Sequence, residues 1–201
     1  NVKGLTNHDG GDTFETIYNA LERLGYHLFF KILNAKDYGV PQNRERIFIV
    51  GFLNNVEFKF PKPLNEIPNV SSSLESNPCG HEISKTASAH IKKHYSEYLK
   101  KNILNKEFPL FASEIRPSRC VFRNDGISPC LTAKMGTGGN NIPVLVDKNR
   151  RLTIRECLRI QGFPEYFMMK DSSYQSYKQI GNSVAVPLVK LIATEMVRAI
   201  L

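Results

Sequence analysis

The sequence predicts an α/β fold with a smaller, irregular, β-rich second lobe, and three observations carry that prediction. Apolar residues recur at helical spacing in Phe14, Ile17, Leu21 and Leu24, then give way to the strand-like "YHLFFKILNA", Tyr26 to Ala35. Ile47 to Phe52 is a continuous apolar run rich in β-branched and aromatic residues, the pattern of a strand covered on both faces. From Pro61, "PKPLNEIPNVSSSLESNPCG" is rich in Pro, Ser and Asn, and regular periodicity fades until Thr153.

Composition bounds the function. With 201 residues and 41% hydrophobic content the chain can bury a core, as one domain or one and a half. The 27 Lys+Arg against 19 Asp+Glu give +8, which favours a polyanionic partner such as nucleic acid. Cys79, Cys120, Cys130 and Cys157 show no CxxC spacing and no disulfide-framework density, which fits a reducing cytoplasm. No apolar segment approaches the roughly 20 residues of a spanning helix, and the start lacks a charged n-region, so neither membrane span nor signal peptide is expected. His90 and His94 lie four apart with Cys79 and His81 nearby, but lysines surround them and no second ligand pair follows, so no metal is expected.

Along the chain, Asp12 or Thr13 caps the first helix and Gly25 ends it. The strand from Arg46 follows the first strand after a loop too short for a helical crossover, so the two pair antiparallel. Within an otherwise parallel sheet the second strand runs backwards, and its N-terminal end lies at the edge where such sheets bind ligands. There, alternation turns Gln42, Arg44 and Arg46 to one side. Three planar hydrogen-bonding groups then converge at the mouth of a buried strand; an isolated RxR of this kind reads better as a surface ion-pair cluster around Glu45. In the second lobe, His81 to Leu104 has helical stretches with Lys92, Lys93, Lys100 and Lys101 outward, and "SPCLTAKMGTGGNNIPVLV" reads as strand, glycine loop and strand. "TIRE" matches a capping box from Thr153 to Glu156 and opens a helix that Gly162 to Pro164 closes. A last amphipathic helix runs from about Val186 to Leu201, with Asn182 and Ser183 placed just before it as caps or as a carboxylate site.

"PQNRERIFIVGF", "RECLRIQGFPEYF" and "YKQIGNSVAVPL", in that order and separated by a variable region, resemble the last blocks of the DNA cytosine-5 methyltransferases. The opening "NVKGL" is similar to the remainder of that family's Glu-Asn-Val block. The resemblance covers the whole chain. It implies a partial S-adenosylmethionine-dependent methyltransferase (Rossmann-like) sheet with an antiparallel strand, in residues 1–63. A target-recognition lobe follows in 64–182, including the RECLRIQGFP helix, and 183–201 return to the catalytic domain.

The family's chemistry implies roles for the converging side chains. A cysteine thiolate adds to cytosine C6 while an acid protonates N3, and C5 then takes the methyl of S-adenosylmethionine. By motif position Arg46 resembles the donor to cytosine O2, with Arg44 supporting the catalytic loop or phosphate and Gln42 the local loop geometry. Asn182, Ser183 and Val184, with Asn1, resemble the cofactor pocket wall. Cys130 stands where the family commonly has the threonine that holds a phosphate of the flipped nucleotide, and Thr132 is the alternative donor. Lys134, Arg119 and Arg123 are expected to meet DNA phosphates, and Gly136, Gly138 and Gly139 to admit backbone close to DNA. Arg155, Glu156 and Arg159 are expected to tie the lobes together.

The nucleophilic Pro-Cys and the N3-protonating Glu have no counterpart in this sequence, and neither Cys79 nor Cys130 sits in the nucleophile's context. The expected partners are therefore duplex DNA and the N-terminal half of the enzyme, on the same polypeptide or a separate subunit, in the nucleoid-associated cytoplasm of a bacterium. The expected setting is a restriction–modification system. A tRNA-methylating branch of the family and a non-catalytic DNA-binding relative remain alternatives.

Overall fold

In the computed structural model, residues 3–201 are described, apart from Ile67, Gly139, Asp171 and Ser172. β1 (His27–Asn34) and β2 (Glu45–Phe52) pair antiparallel in full register, His27 opposite Phe52 and Asn34 opposite Glu45. The connection turns tightly because Asn34 accepts from Lys36 N, a 3-10 turn follows at Ala35–Tyr38, and Gly39 closes it at φ 80°. The two faces of this ribbon differ. Leu33, Val50 and Phe52 pack with Leu188 and Ile192 of the last helix, α5 (Val186–Ile200), and with its N-cap Ala185. The opposite face meets α1 (Asp12–Arg23) through edge contacts of Phe30 with Phe14 (4.9 Å) and Tyr18 (6.0 Å). That cover is thin: Phe30 stays 51% and Ile32 38% exposed.

The second lobe is built on a four-stranded antiparallel sheet in the order β4 (Val121–Arg123), β3 (Phe111–Ser113), β5 (Val144–Leu145), β6 (Arg150–Arg151). Alternation divides its side chains. Ala112 and Val144 face α2 (Lys85–Lys101), which Ser84 caps through Ala87 N. Phe111 and Leu145 face a larger core with Leu131, Met135 and Leu152, closed by α3 (Ile154–Ile160) and α4 (Ser173–Asn182). The described residues thus form a mixed α/β structure with two small antiparallel sheets.

The capping box at α3 forms as the sequence predicts. Thr153 Oγ1 accepts from Glu156 N (3.0 Å), and Thr153 N donates to Glu156 Oε2 (2.8 Å). Glu156 is fully buried and also takes both terminal nitrogens of Arg150 (2.6 and 2.9 Å) and Glu75 N (2.8 Å).

Four expectations need correction. Glu156 bonds within its own lobe, Arg159 pairs with exposed Glu165, and Arg155 reaches Met168, so these bonds do not join the lobes. The strand expected at Ser128–Leu131 is absent, because Pro129 lacks an N–H and both polar backbone groups of Leu131 are taken by side chains of Gln42 and Arg44. Residues Ala133–Thr137 instead form a 3-10 helix. Asn182 and Ser183 do not cap α5, whose N-cap is Ala185 without a side-chain bond; they finish α4, a helix the sequence reading missed. Gly11, rather than Asp12 or Thr13, occupies the N-cap of α1.

Burial acts against the Glu156 charge, but the Arg150 bonds and the Thr153 and Glu75 N–H groups outweigh it and hold its pKa below 4.5. A depressed folded pKa gives stability that is present above the unfolded value and lost as pH falls through the folded one. Glu156→Gln leaves Arg150 buried without its counter-charge and should cost about 3–5 kcal/mol at pH 7 in urea unfolding. The deficit should shrink as pH drops below about 4. An unchanged midpoint at pH 7 would contradict this.

Candidate active site

The mouth of β2 is fixed before its side chains are considered. Asn34 Oδ1 accepts from Arg44 N (3.0 Å), its Nδ2 donates to Asn43 (2.7 Å), and Ala35 N donates to Arg44 O (3.0 Å). From that base Arg44 enters the interior with 3% exposure. Its Nη1 donates to Leu131 O (2.6 Å) and lies 3.8 Å from Cys130 Sγ; its Nη2 donates to Gly181 O (3.1 Å) and Ser183 O (2.5 Å). Gly181 is in the last turn of α4, where unpaired carbonyls carry partial negative charge and favour a cation. Arg44 is thus no surface ion pair. Burial, then the neighbouring Arg46, lowers its pKa from the ordinary guanidinium value, and carbonyl dipoles compensate for that cost.

Gln42 makes a second joint. Fully buried, it donates to Gln161 Oε1 (3.2 Å) and accepts from Leu131 N (3.0 Å). Gln161 passes the connection on, donating to Ile180 O (3.0 Å) and accepting Val186 N (2.9 Å) on its carbonyl. Backbone bonds between Pro41–Asn43 and Ser128 complete the seam. Gln161 was missed by sequence reading; a polar residue one step past an amphipathic helix, before glycine, was the available signal.

Arg46 remains half-exposed beside this joint, donating to Glu45 O (2.7 Å) and reaching Cys130 Sγ at 3.9 Å. It lines a cavity of about 220 Å³ with Arg44, Phe48, Asn182, Ser183, Val184 and others. The structure therefore brings the QNRER and GNSV segments to one pocket. Ser183 Oγ donates to Ile180 O (2.7 Å), while Asn182 and Val184 are exposed at the rim. Asn1 lies outside the described residues.

On the far side of Cys130 a larger cleft of about 700 Å³ opens, lined by Arg116, Arg119, Arg123, Thr132 and Lys134 among others. Cys130, Thr132, Lys134, Arg119 and Arg123 are thus gathered as a group, joined by Arg116, which sequence reading overlooked. Within the cleft Arg119 pairs with Glu114 (3.0 Å) and Arg123 with Asp125 (2.7 Å). The glycines behave differently. Gly136 is committed internally, because a Cβ there would strike Tyr174 O and Lys178 of α4. Gly138, at φ 73°, lines a smaller cavity with Met135, Arg151 and Tyr174 instead of the cleft. Gly139 lies outside the described residues.

The crossing of α4 over residues 132–136 sets the distance between pocket and cleft, and Gly181 permits it: a Cβ there would overlap the backbone of Thr132 and Ala133. Gly→Ala inside an ordinary helix stabilises by about 1 kcal/mol. Here Gly181→Ala should destabilise by about 1–3 kcal/mol, because the collision is with backbone and not with a flexible side-chain end. Urea unfolding reads the sign directly, and a gain in stability would refute the close crossing.

The model of the family "C-5 cytosine-specific DNA methylase" matches residues 1–198. The chain is 38% identical over 224 residues to the type II methyltransferase M.Bsp6I of Bacillus sp. (strain RFL6), covering 100% of this chain and 64% of that protein. It is 36% identical over 205 residues to M.HaeII of Haemophilus aegyptius, covering 100% and 60%. It therefore spans about three-fifths of the length of these curated relatives. Among solved structures, the Entamoeba histolytica methyltransferase EhMeth shares the fold with TM-score 0.63 at 23% identity, over 91% of this chain and 57% of that one. With the family matched over nearly its whole length, the chain belongs to the C-5 cytosine-specific DNA methylases.

Proposed function

We propose that this chain is the C-terminal part of a DNA cytosine-5 methyltransferase of a bacterial restriction–modification system. It supplies the ring-polarising arginine, one wall of the cofactor pocket and the lobe that reads duplex DNA. The observation that carries this reading is the position of Cys130: it lines the basic cleft, and its sulfur lies 3.9 Å from Arg46, which lines the pocket. A cytosine turned out of a duplex in the cleft has a short path to Arg46. The domain division that fits is 1–63 with 183–201 around the α5-packed core, and 64–182 as the recognition lobe.

S-adenosylmethionine is the methyl donor of this family. The 220 Å³ cavity is smaller than the roughly 300–1,000 Å³ of complete ligand pockets, so the residues fit one end of the cofactor. Asn182, Ser183 and Val184 would hold that end, with Phe48 and Leu188 as its apolar floor. When bound, the cofactor supplies the methyl group. Arg46 donates to the cytosine O2 as negative charge develops on the ring, and Arg44, its two terminal nitrogens held by carbonyls, keeps Arg46 and the 181–185 loop in register. Gln42 fixes the seam from beneath.

The thiolate for C6 and the acid for N3 come, in this proposal, from a portion preceding Asn1. The thiols of this chain suit other tasks. Burial pushes Cys157 far up and Cys120 up to about 11, Cys79 is exposed outside both cavities, and Cys130 is a wall residue between two guanidinium groups. The same N-terminal portion would cover Phe30 and Ile32.

Tritiated-methyl incorporation into duplex DNA tests this. The chain alone should transfer none and should self-associate, whereas addition of an N-terminal fragment carrying the Pro-Cys and Glu-Asn-Val blocks should restore transfer. In that assembly Arg46→Lys should lower turnover by about 100-fold or more with little loss of DNA affinity. Incorporation by the chain alone, abolished by Cys130→Ser, would show that Cys130 is the nucleophile. Equal losses of affinity and turnover in Arg46→Lys would remove its polarising role.

A further inference from the structure

We infer that Arg123 is a specificity-determining residue that reads a guanine in the major groove, an inference that rests on the cleft taking duplex DNA. From its sequence Arg123 is expected to neutralise a phosphate. Its geometry speaks against that. Nε donates to Asp125 Oδ1 (2.7 Å) and Nη2 to Asp125 Oδ2 (2.7 Å), so the carboxylate grips one edge of the guanidinium. A phosphate brought to this pair meets the Asp125 carboxylate as well as the arginine, and the two anions repel. A base edge carries only partial charge and meets no such penalty.

The grip leaves a defined fork. A guanidinium has five N–H donors, and a carboxylate on the Nε–Nη2 edge leaves the Nη1–Nη2 end directed away from it. Two donors at that end match the N7 and O6 acceptors of guanine, the commonest specific arginine contact in the major groove. Thymine O4 or a cytosine amino group matches only one of them or neither.

The buttress is itself held. Asp125 Oδ1 accepts from Ile127 N (3.2 Å), and Asn124 bridges Asn105 N (2.6 Å) and Phe108 O (2.7 Å). Gly126 turns the chain at φ 77° with the Phe108 ring 3.2 Å from where a Cβ would stand. The Arg123 side chain is 25% exposed, against 65% for Arg119, whose ion pair with Glu114 runs through Nε at 3.0 Å. An arginine whose rotamer is already fixed loses little entropy on meeting a base, which is the preorganisation that specificity requires.

The test uses the full-length enzyme that carries this chain and a randomised duplex pool sequenced after selection by binding. The wild type should select at least one guanine whose replacement by 7-deazaguanine, which lacks N7, weakens binding about 10-fold or more. Arg123→Ala should accept other bases at that one position, losing about 10- to 100-fold of discrimination there and keeping it elsewhere. Asp125→Asn, which retains the arginine but loosens its grip, should relax the same position to a smaller degree. The 7-deazaguanine arm needs no variant, so a misfolded mutant does not shield the inference. A uniform loss across sequences with a salt slope reduced by about 0.9 would identify a phosphate contact and overturn it, as would unchanged selection in both variants. Failure of the wild type to bind any duplex selectively would overturn the DNA-reading assignment itself, a result separable from the behaviour of Arg123.

Discussion

A single buried cation organises this molecule. Arg44 leaves the mouth of β2, crosses into the second lobe and is held there by the carbonyls of Leu131, Gly181 and Ser183. A lysine has the charge but not the planar fork to reach carbonyls on two segments at once. Because the compensating groups are backbone dipoles and not a carboxylate, the arrangement is tied to the course of the chain at residues 131 and 181–183. The Gln42–Gln161 pair repeats the principle with neutral groups. Together they place Arg46, the 181–185 loop and Cys130 within reach of one another.

Around that seam the two lobes are finished to different degrees. The second lobe has its own core, a buried and fully engaged Glu156, and a capped α3. The β1–β2 ribbon is closed by α5 on one face and only grazed by α1 on the other, and none of the α1 side chains is buried among the described residues. Apolar residues such as Phe30 at half exposure on a two-stranded ribbon are what an incomplete sheet looks like. The chain spans about three-fifths of the length of its relatives, and the thin cover lies on the ribbon face opposite α5.

Much of this was legible in the sequence where local rules act alone. The apolar run of β2, the short β1–β2 connection, the capping box at Thr153 and the last helix all follow from spacing and turn chemistry. The convergence of Gln42, Arg44 and Arg46 also follows from alternation, but the partners of Arg44 do not, since those are backbone carbonyls more than 80 residues away. Pro129 and side chains from the other lobe override the β-like "SPCL", and α4 was missed because its glycine and polar residues read as a loop. In sequence Gly136 looks like a site of close approach to DNA until the structure shows that the crossing of α4 needs it. Arg119 and Arg123 look alike in sequence and differ in burial and in how an acid grips them.

Hydrogen exchange of backbone amides tests the organising role of Arg44 most directly. In Arg44→Lys, exchange should accelerate together in two segments far apart in sequence, residues 128–135 and 179–186, while the β1–β2 ladder stays protected, because one guanidinium fixes both segments. Acceleration in only one of them, or in neither, would contradict the account.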